Sequence, residues 1–456
     1  MAIDGAYNVL WSLARDTSPG TITLKVEDNA LSGSSSSDLG QYKFEGGKVT
    51  GDQFEWSMLV NAPQIGEIKV DVNGTVSGDD ISGQAKLEDY GSATFRGTRA
   101  TSFMRAAVVT GKRQFEIRKI PTPVVRPGTL LLKVKCCAIC GTDLEFVDHH
   151  GWAKPSGEEL FLGSKLDEAI LGHEWVGEVV EVGEGVEGWS VGDRVVDLRG
   201  CCGQCYWCRR GFHHLCMGGL VRIEDIRGGT GWASMYGAMA EYVLRPAQNR
   251  IKVPDSVSDE EAALTEPLNV GLSAIYESGM KAGDSVAILG GGHIGQLTLL
   301  SAKAAGAAPI ILTDRIQSRL DKALELGADY ALNVDEGDVY EQIVDITEAG
   351  ADVIIICVRD ADVIQQSTLA VRREGTIALL GFPKPAQIDP IYWLAKRLRI
   401  VACDPSLRYN VQAMRLMQYK QIDCKPLVSA IMPLENVGKA FDSLYAGENL
   451  MVMLKP

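Results

Sequence analysis

The sequence predicts an α/β protein in which a doubly wound parallel sheet adjoins a β-rich region, the two preceded by a small antiparallel β meander or barrel. Three observations carry the prediction. Residues 1–103 alternate apolar and polar positions with the two-residue period of half-buried strands, at Ile22, Leu24 and Val26, at Phe54, Trp56, Met58 and Val60, and at Ile68, Val70 and Val72. From Met104 to about residue 265, short strand patterns alternate with Pro and Gly turns. After Gly283 the apolar runs SVAILG, PIILTD, ADYALN, ADVIIICV, GTIALLG and LRIVAC are separated by segments of helical length, the arrangement of a parallel sheet built from βα units.

Within the first region, GKVTGDQF at 47–54 and GTVSGDDI at 74–81 share one pattern, and ALSGS at 30–34 is a weaker echo, so a repeated hairpin unit is expected. The region contains neither His nor Cys, which excludes a metal or thiol site of those ligands. An assembly or covering module is the expected role, since barrels of this size are usually filled by their own side chains.

The chain's 456 residues exceed the usual single-domain size of about 100–200, so two or three cores are expected. Hydrophobic residues at 46% and charged residues at 23% match packed globular proteins rather than disordered or fibrous ones. With 45 basic against 59 acidic residues the net charge is −14, which disfavours nucleic acid and anionic membranes as partners. The N-terminus lacks the pattern of a secretory signal, and the apolar stretch from Val286 to Leu312 is broken by glycines, Lys303 and Pro309, so a cytoplasmic protein without a membrane span is expected. Eleven cysteines in such a chain read as ligands or core residues rather than disulfides.

In CGQCYWCRRGFHHLC, Cys202, Cys205, Cys208 and Cys216 are spaced by two, two and seven residues. Four thiolates on one compact loop can enclose a tetrahedral Zn²⁺ with no open position, the donor set of a structural site. A second set is dispersed: Cys140 in ICGTD, His173 and Glu174 in LGHEWVGEVVEVG, and Glu266 in TEPLNVG. One thiolate, one imidazole and a carboxylate leave a zinc ion one open position for water or substrate, as catalytic sites do. Whether Glu174 or Glu266 supplies the resting fourth ligand stays open. Asp143 is placed to accept a hydrogen bond from the imidazole, and Thr142, two residues after Cys140, to bridge a metal-bound alcohol and a proton relay.

In VAILGGGHIGQLTLLSAKAAGAAPIILTD, Gly290, Gly292 and Gly295 form GxGxxG directly after a strand and at the opening of a helix, where backbone N–H groups can receive a pyrophosphate. Asp314 closes the next strand 19 residues after Gly295, as suits a carboxylate that bonds ribose hydroxyls and repels a 2′-phosphate. Arg315 and Arg319 admit a reading as a 2′-phosphate clamp, but Asp314 favours NAD.

With these motifs in order, the chain from Met104 to its C-terminus resembles the zinc-dependent medium-chain alcohol and polyol dehydrogenases: CGTD, GHExVGxVxxVG, VGDRV, the four-cysteine lobe, EPL and GGGHIG. The resemblance implies a GroES-like β-rich catalytic domain over 104–265 and 404–456, a Rossmann NAD-binding domain over 266–403, and a module outside the family pattern over 1–103. Glu174 and Glu266 are similar to the sorbitol and threonine dehydrogenase branches. It further implies that Arg408 and Tyr409 in SLRYN lie near the nicotinamide and the zinc-bound water, that Asp314 and Arg319 contact the adenosine ribose, and that Ile294 contacts the pyrophosphate turn. Where the family often has a His after CGTD that passes the substrate proton outward, this chain has Glu145; His149, His150 or Glu145 itself are the candidates for that task. The loop from Cys140 to His173, with Trp152 and Phe161, and the stretch from Met217 to Tyr236, with Trp232, are longer than the pattern and are expected to reshape the substrate pocket.

The expected activity is oxidation of a secondary alcohol, a polyol, sugar or related hydroxylated metabolite, to a ketone by NAD. It would use two zinc ions per chain, one catalytic and one structural, in a homodimer or homotetramer. A hydroxy amino acid or bulky hydroxylated metabolite is the alternative substrate, and a non-catalytic NAD-binding protein the alternative class.

Overall fold

A computed structural model describes residues 3–13, 16–37, 40–62, 66–149, 169–197, 206–212, 237–381, 384–403 and 407–456. The chain opens with a closed barrel in which β1 (Gly5–Leu13), β2 (Asp16–Glu27), β3 (Ala30–Ser37), β4 (Gly40–Thr50), β5 (Gln53–Ala62), β6 (Gly66–Ser77), β7 (Asp80–Leu87) and β8 (Ser92–Arg99) pair in sequence and β8 closes on β1. The repeated sequence units are its tight hairpins. Thr50 faces Gln53 across Gly51-Asp52, and Ser77 faces Asp80 across Gly78-Asp79, with Gly51 and Gly78 at positive φ as the two-residue turn requires.

The barrel is filled rather than hollow along its aromatic core. Phe44 stacks on Trp56 at 4.2 Å, Phe54 on Trp56 at 5.3 Å, and Trp11 meets Phe95 at 4.8 Å. Each such pair adds about 0.5–1.5 kcal/mol beyond the burial of its area. Three of these rings lie over a glycine on the neighbouring strand: Phe44 opposite Gly33, Phe54 opposite Gly74 and Phe95 opposite Gly83. A Cβ at Gly83 would lie 2.6 Å from the Phe95 ring, so these glycines are there because the rings need the space.

The barrel leads through Ala100 into β9 (Phe103–Gly111) and β10 (Gln114–Pro121), which form a sheet with β12 (Ala169–Ile170). Asn8 of the barrel donates to the Thr122 carbonyl, and Arg126 to that of Val9. A second sheet runs in the order β16 (Arg250–Lys252), β14 (Arg194–Asp197), β13 (Glu174–Val182), β11 (Thr129–Ala138), β24 (Val452–Lys455), β23 (Ala430–Pro433), with β15 (Tyr242–Pro246) also paired to β11. The C-terminal strands thus return to the sheet begun by residues 129–138, so this core is closed by both halves of the chain.

The third sheet is parallel, in the order β19 (Tyr330–Asn333), β18 (Ile310–Asp314), β17 (Val286–Leu289), β20 (Ala351–Ile356), β21 (Val371–Leu379), β22 (Arg399–Ala402). Its strands correspond to the six apolar runs read from the sequence, and the near-continuous burial of β17, β18 and β20 is that of a sheet covered on both faces, whereas the edge strands β19 and β22 are partly exposed. The helices are α1 (Gly141–His149), α2 (Asp259–Ala263), α3 (Thr265–Ser278), α4 (His293–Ala304), α5 (Gln317–Leu326), α6 (Val339–Thr347), α7 (Asp362–Ala370), α8 (Ile391–Lys396), α9 (Asn410–Gln418) and α10 (Val437–Tyr445). The strand order reverses between β17 and β20, and the crevice at that switch point is where an open α/β sheet receives its ligand. None of the described helices is long and apolar enough to cross a membrane.

Candidate metal and nucleotide site

Pairing of β11 with β13 brings two distant sequence fragments together. Ala138 faces Glu174, so Cys140, just past the end of β11, meets His173 and Glu174 at the start of β13. Gly172 shapes the approach: its φ is +106°, and a Cβ there would stand 2.6 Å from Cys137 Sγ. Cys140, His173 and Glu174 are buried, and one ligand atom from each lies within 4.8 Å of the others. Both oxygens of Glu174 are buried and meet no N–H or O–H donor among the described residues. Buried carboxylate oxygens without donors, beside a thiol and an imidazole, are what a bound cation would satisfy, and S, N and O donors together suit zinc.

Asp143 ties the two fragments. Its Oδ2 accepts the Cys140 N–H at 2.9 Å, and its Oδ1 lies 3.6 Å from His173 Nδ1. The other imidazole nitrogen, Nε2, therefore faces the cluster, and Thr142 Oγ1 lies 3.4 Å from it. Burial pushes the Cys140 thiol up to about 12, and burial, then the charge of Glu266, pushes Glu174 well above the ordinary carboxylate range. Burial also raises Glu266. For His173, burial works downward but the Cys140 and Asp143 charges outweigh it, leaving the imidazole above its ordinary value. Glu266, in the first turn of α3, is felt electrostatically by this cluster but is not one of the three residues with converging ligand atoms.

Across the crevice, the glycine turn follows β17 and α4 begins with Gly292 as its cap. A Cβ at Gly295 would lie 1.8 Å from the Gly290 carbonyl oxygen, which fixes helix against strand, whereas one at Gly292 would meet nothing within 4 Å, leaving space over the helix N-terminus for a phosphate group. Ile294 is half-buried in the first turn of α4. Asp314 ends β18; its carboxylate accepts the Gly291 N–H at 2.7 Å and the Ile316 N–H at 2.9 Å, and Arg319 Nη1 lies 3.5 Å away. The turn and the acid are thus locked to each other before any ligand arrives.

Arg408 and Tyr409 lie against α3, where Tyr409 donates its backbone N–H to Asn269 Oδ1 at 2.7 Å, one turn past Glu266. Tyr409 donates its hydroxyl to Glu277 and Arg408 lies 3.6 Å from the same carboxylate. Glu277 is eleven residues past Glu266 on α3, and its carboxylate engages both side chains. Glu145 pairs with Arg359. Of the four-cysteine lobe, Cys208 is described and buried; Cys202, Cys205 and Cys216 lie outside the described residues, as do His150, Trp152, Phe161, Trp232, Tyr236 and the side chain of His149.

Two residues join the site that the motifs alone do not mark. His293, within the glycine turn, has its Cε1 3.6 Å from where a Cβ on Gly141 would stand, and its Nε2 is buried with no partner among the described residues. Burial, then the charges of Arg319 and His173, lowers its pKa to about 4, so it is neutral near pH 7. Arg359 is the other. A cation three residues after a buried parallel strand, at the end where such sheets bind ligands, was its sequence signal.

Comparison with known proteins agrees with this geometry. Residues 126–255 match the family model of the alcohol dehydrogenase GroES-like domain, and residues 294–417 that of the zinc-binding dehydrogenases. The L-threonine 3-dehydrogenase of Pyrococcus abyssi is 38% identical over 278 residues, 60% of this chain and 74% of that protein. The sorbitol dehydrogenase of Halalkalibacterium halodurans is 32% identical over 365 residues, 77% of this chain and 99% of that one. A structure from Sinorhizobium meliloti, described as a zinc-binding dehydrogenase bound to NADP, superposes with a TM-score of 0.69 at 30% identity, covering 78% of this chain and all of the other.

Proposed function

The chain belongs to the zinc-dependent medium-chain alcohol and polyol dehydrogenases, oxidoreductases acting on CH–OH groups, and from that membership we propose which residues do the work and on what. The substrate is a secondary alcohol of a polyol, sugar or related metabolite, oxidised to the ketone. The observation that carries the reading is the buried Cys140, His173 and Glu174 cluster with the Thr142 hydroxyl against it.

Cys140, His173 and either Glu174 or Glu266 would hold the catalytic zinc. Bound there, zinc would supply Lewis-acid chemistry that brings the pKa of an alcohol toward neutrality, and NAD held in the crevice would supply the hydride acceptor. Thr142, its Oγ1 placed beside His173 Nε2, accepts the hydroxyl proton as it passes its own proton on to a relay water or side chain that leads to solvent. Asp143 holds the imidazole and the Cys140 turn in register. Gly290, Gly292, Gly295 and Ile294 cradle the pyrophosphate, and Asp314 with Arg319 receives the adenosine ribose. Since Asp314 would stand beside a 2′-phosphate, NAD is the cofactor of this reading, in contrast to the NADP of the Sinorhizobium neighbour.

The four-cysteine lobe holds a second, structural zinc in this reading, and the chain divides at 103, 265 and 403. A homodimer or homotetramer in the cytoplasm completes it. The edge strand β22 and the exposed Ile391 and Leu394 on α8 support self-association, because an uncovered parallel edge invites a partner. The test is a panel of polyols, diols, sugars and hydroxy acids with NAD or NADP, followed by NADH absorbance and by metal content. Turnover of a secondary alcohol with NAD and two zinc ions per chain is expected. No turnover by a fully zinc-loaded protein on any of them would contradict the reading.

A further inference from the structure

Glu145 and Thr142 lie three residues apart on α1, one above the other on the same helix face. Arg359 lies on the opposite wall, three residues after β20 ends. The loop that carries it is seated on the nucleotide turn: Cys357 donates its N–H to the Leu289 carbonyl at 2.9 Å, and a Cβ on Gly290 would stand 2.6 Å from Val358 Cγ1. A dinucleotide bound at this switch point spans the ends of β17 and β20. With the adenosine ribose at Asp314 on the β18 side, its nicotinamide half is directed toward β20, and so toward Arg359.

The ion pair between Arg359 Nη1 and Glu145 Oε1 therefore joins the wall that bears Thr142 to the wall that bears the glycine turn. It is not a surface ornament. The two side chains are 34% and 27% exposed, and Arg359 Nε is buried with no acceptor among the described residues. A buried guanidinium N–H without an acceptor is costly unless something arrives to accept it.

We propose that Glu145 and Arg359 form a clasp across the crevice that closes on the nicotinamide half of the dinucleotide, with Arg359 as the positioning residue and its Nε–H directed to the nicotinamide-side ribose. The proposal rests on the reading of the crevice as an NAD site. It also sets Glu145 apart from the relay role, because its carboxylate is engaged by a cation from the other wall.

The test measures dissociation constants of NADH and of AMP, which lacks the nicotinamide half, for full-length zinc-loaded protein, and compares wild type with Arg359→Ala, Glu145→Ala, the double variant and Arg359→Lys. Loss of a hydrogen-bonded charge contact predicts NADH binding weakened about tenfold or more in each single variant. The double variant should lose no more than either single one, because the two residues act as one unit. AMP binding should stay constant, and Arg359→Lys should restore part of the NADH affinity. Unchanged NADH affinity in wild-type-like variants, AMP weakened in the same proportion as NADH, or losses that multiply in the double variant would each overturn the clasp. Failure of the wild-type protein to bind NADH at all would overturn the NAD reading together with it.

Discussion

Thr142 carries the narrowest of the assigned tasks, since its hydroxyl touches the imidazole of His173 while its backbone N–H lies 3.5 Å from Cys140 Sγ. Thr142→Ala removes the hydroxyl and leaves every ligand, so turnover should fall by ~10²-fold or more while zinc content, read by metal analysis, holds. Near-normal turnover would pass the proton to water or another group. Asp314 is the residue proposed to select the cofactor, and its carboxylate is bonded to the glycine turn through the Gly291 N–H. Asp314→Ser should bring the kcat/KM values for NAD and NADP together; a preference unchanged by the substitution would contradict the charge argument. The raised acids give a pH signature. In metal-free protein Cys140, Glu174 and Glu266 have pKa values above those of an unfolded chain, so the stability they lend is full at low pH and is lost as pH rises. Zinc binding requires the deprotonated forms of Cys140 and of whichever of the two carboxylates joins it, and grows stronger in the same direction. The difference in melting temperature between zinc-loaded and chelator-treated protein should therefore widen from pH 6 to pH 8.5, and less so in His173→Ala. A gap independent of pH in the wild-type protein would refute this.

Elements were readable where a period or a turn residue forced them. The six apolar runs became six parallel strands, the central ones because continuous apolar character suits a sheet covered on both faces, and the two glycine-bearing repeats became hairpins because Gly51 and Gly78 supply positive φ. Closure of the barrel was less legible, since it depends on β8 reaching β1, a pairing no local pattern encodes. Nor does any motif show that Phe44, Phe54 and Phe95 each lie over a glycine of the next strand. That packing makes a prediction at the scale of the hairpin. A Cβ at Gly83 would lie 2.2 Å from the Asn73 carbonyl oxygen and 2.6 Å from the Phe95 ring, so Gly83→Val must displace the strand. Overpacking of this kind costs about 1–3 kcal/mol. It should lower the barrel's melting transition, followed by tryptophan fluorescence of Trp11 and Trp56, with turnover at 25 °C retained. An unaltered transition would mean that the strands adjust freely.

For the whole molecule, the convergence of Cys140, His173 and Glu174 comes from the antiparallel pairing of β11 with β13, which joins fragments that each brought a distinctive residue set. What escaped the sequence were contacts between distant segments. Arg408 and Tyr409 meet Glu277, and Arg359 reaches Glu145, both set by tertiary pairing between residues more than a hundred positions apart. The barrel meets the rest of the chain through contacts such as Asn8 to the Thr122 carbonyl, and the metal and nucleotide residues all lie beyond it. A chain beginning at Met104 should accordingly bind NAD and zinc but change in oligomeric state or substrate affinity, as light scattering and a Michaelis curve on both forms would reveal. Loss of NAD binding on truncation would show the barrel to be part of the catalytic unit. The central claim is that a metal held by Cys140 and His173 transfers the burden of alcohol ionisation, and that hydride then passes to NAD. Its most direct measurement is the rate of NADH formation from a secondary alcohol as zinc is removed by chelation and added back, with His173→Ala in parallel. The account predicts that the rate falls with the catalytic zinc, returns with it in the wild-type protein and does not return in the variant; a rate indifferent to zinc, or to His173, would contradict it.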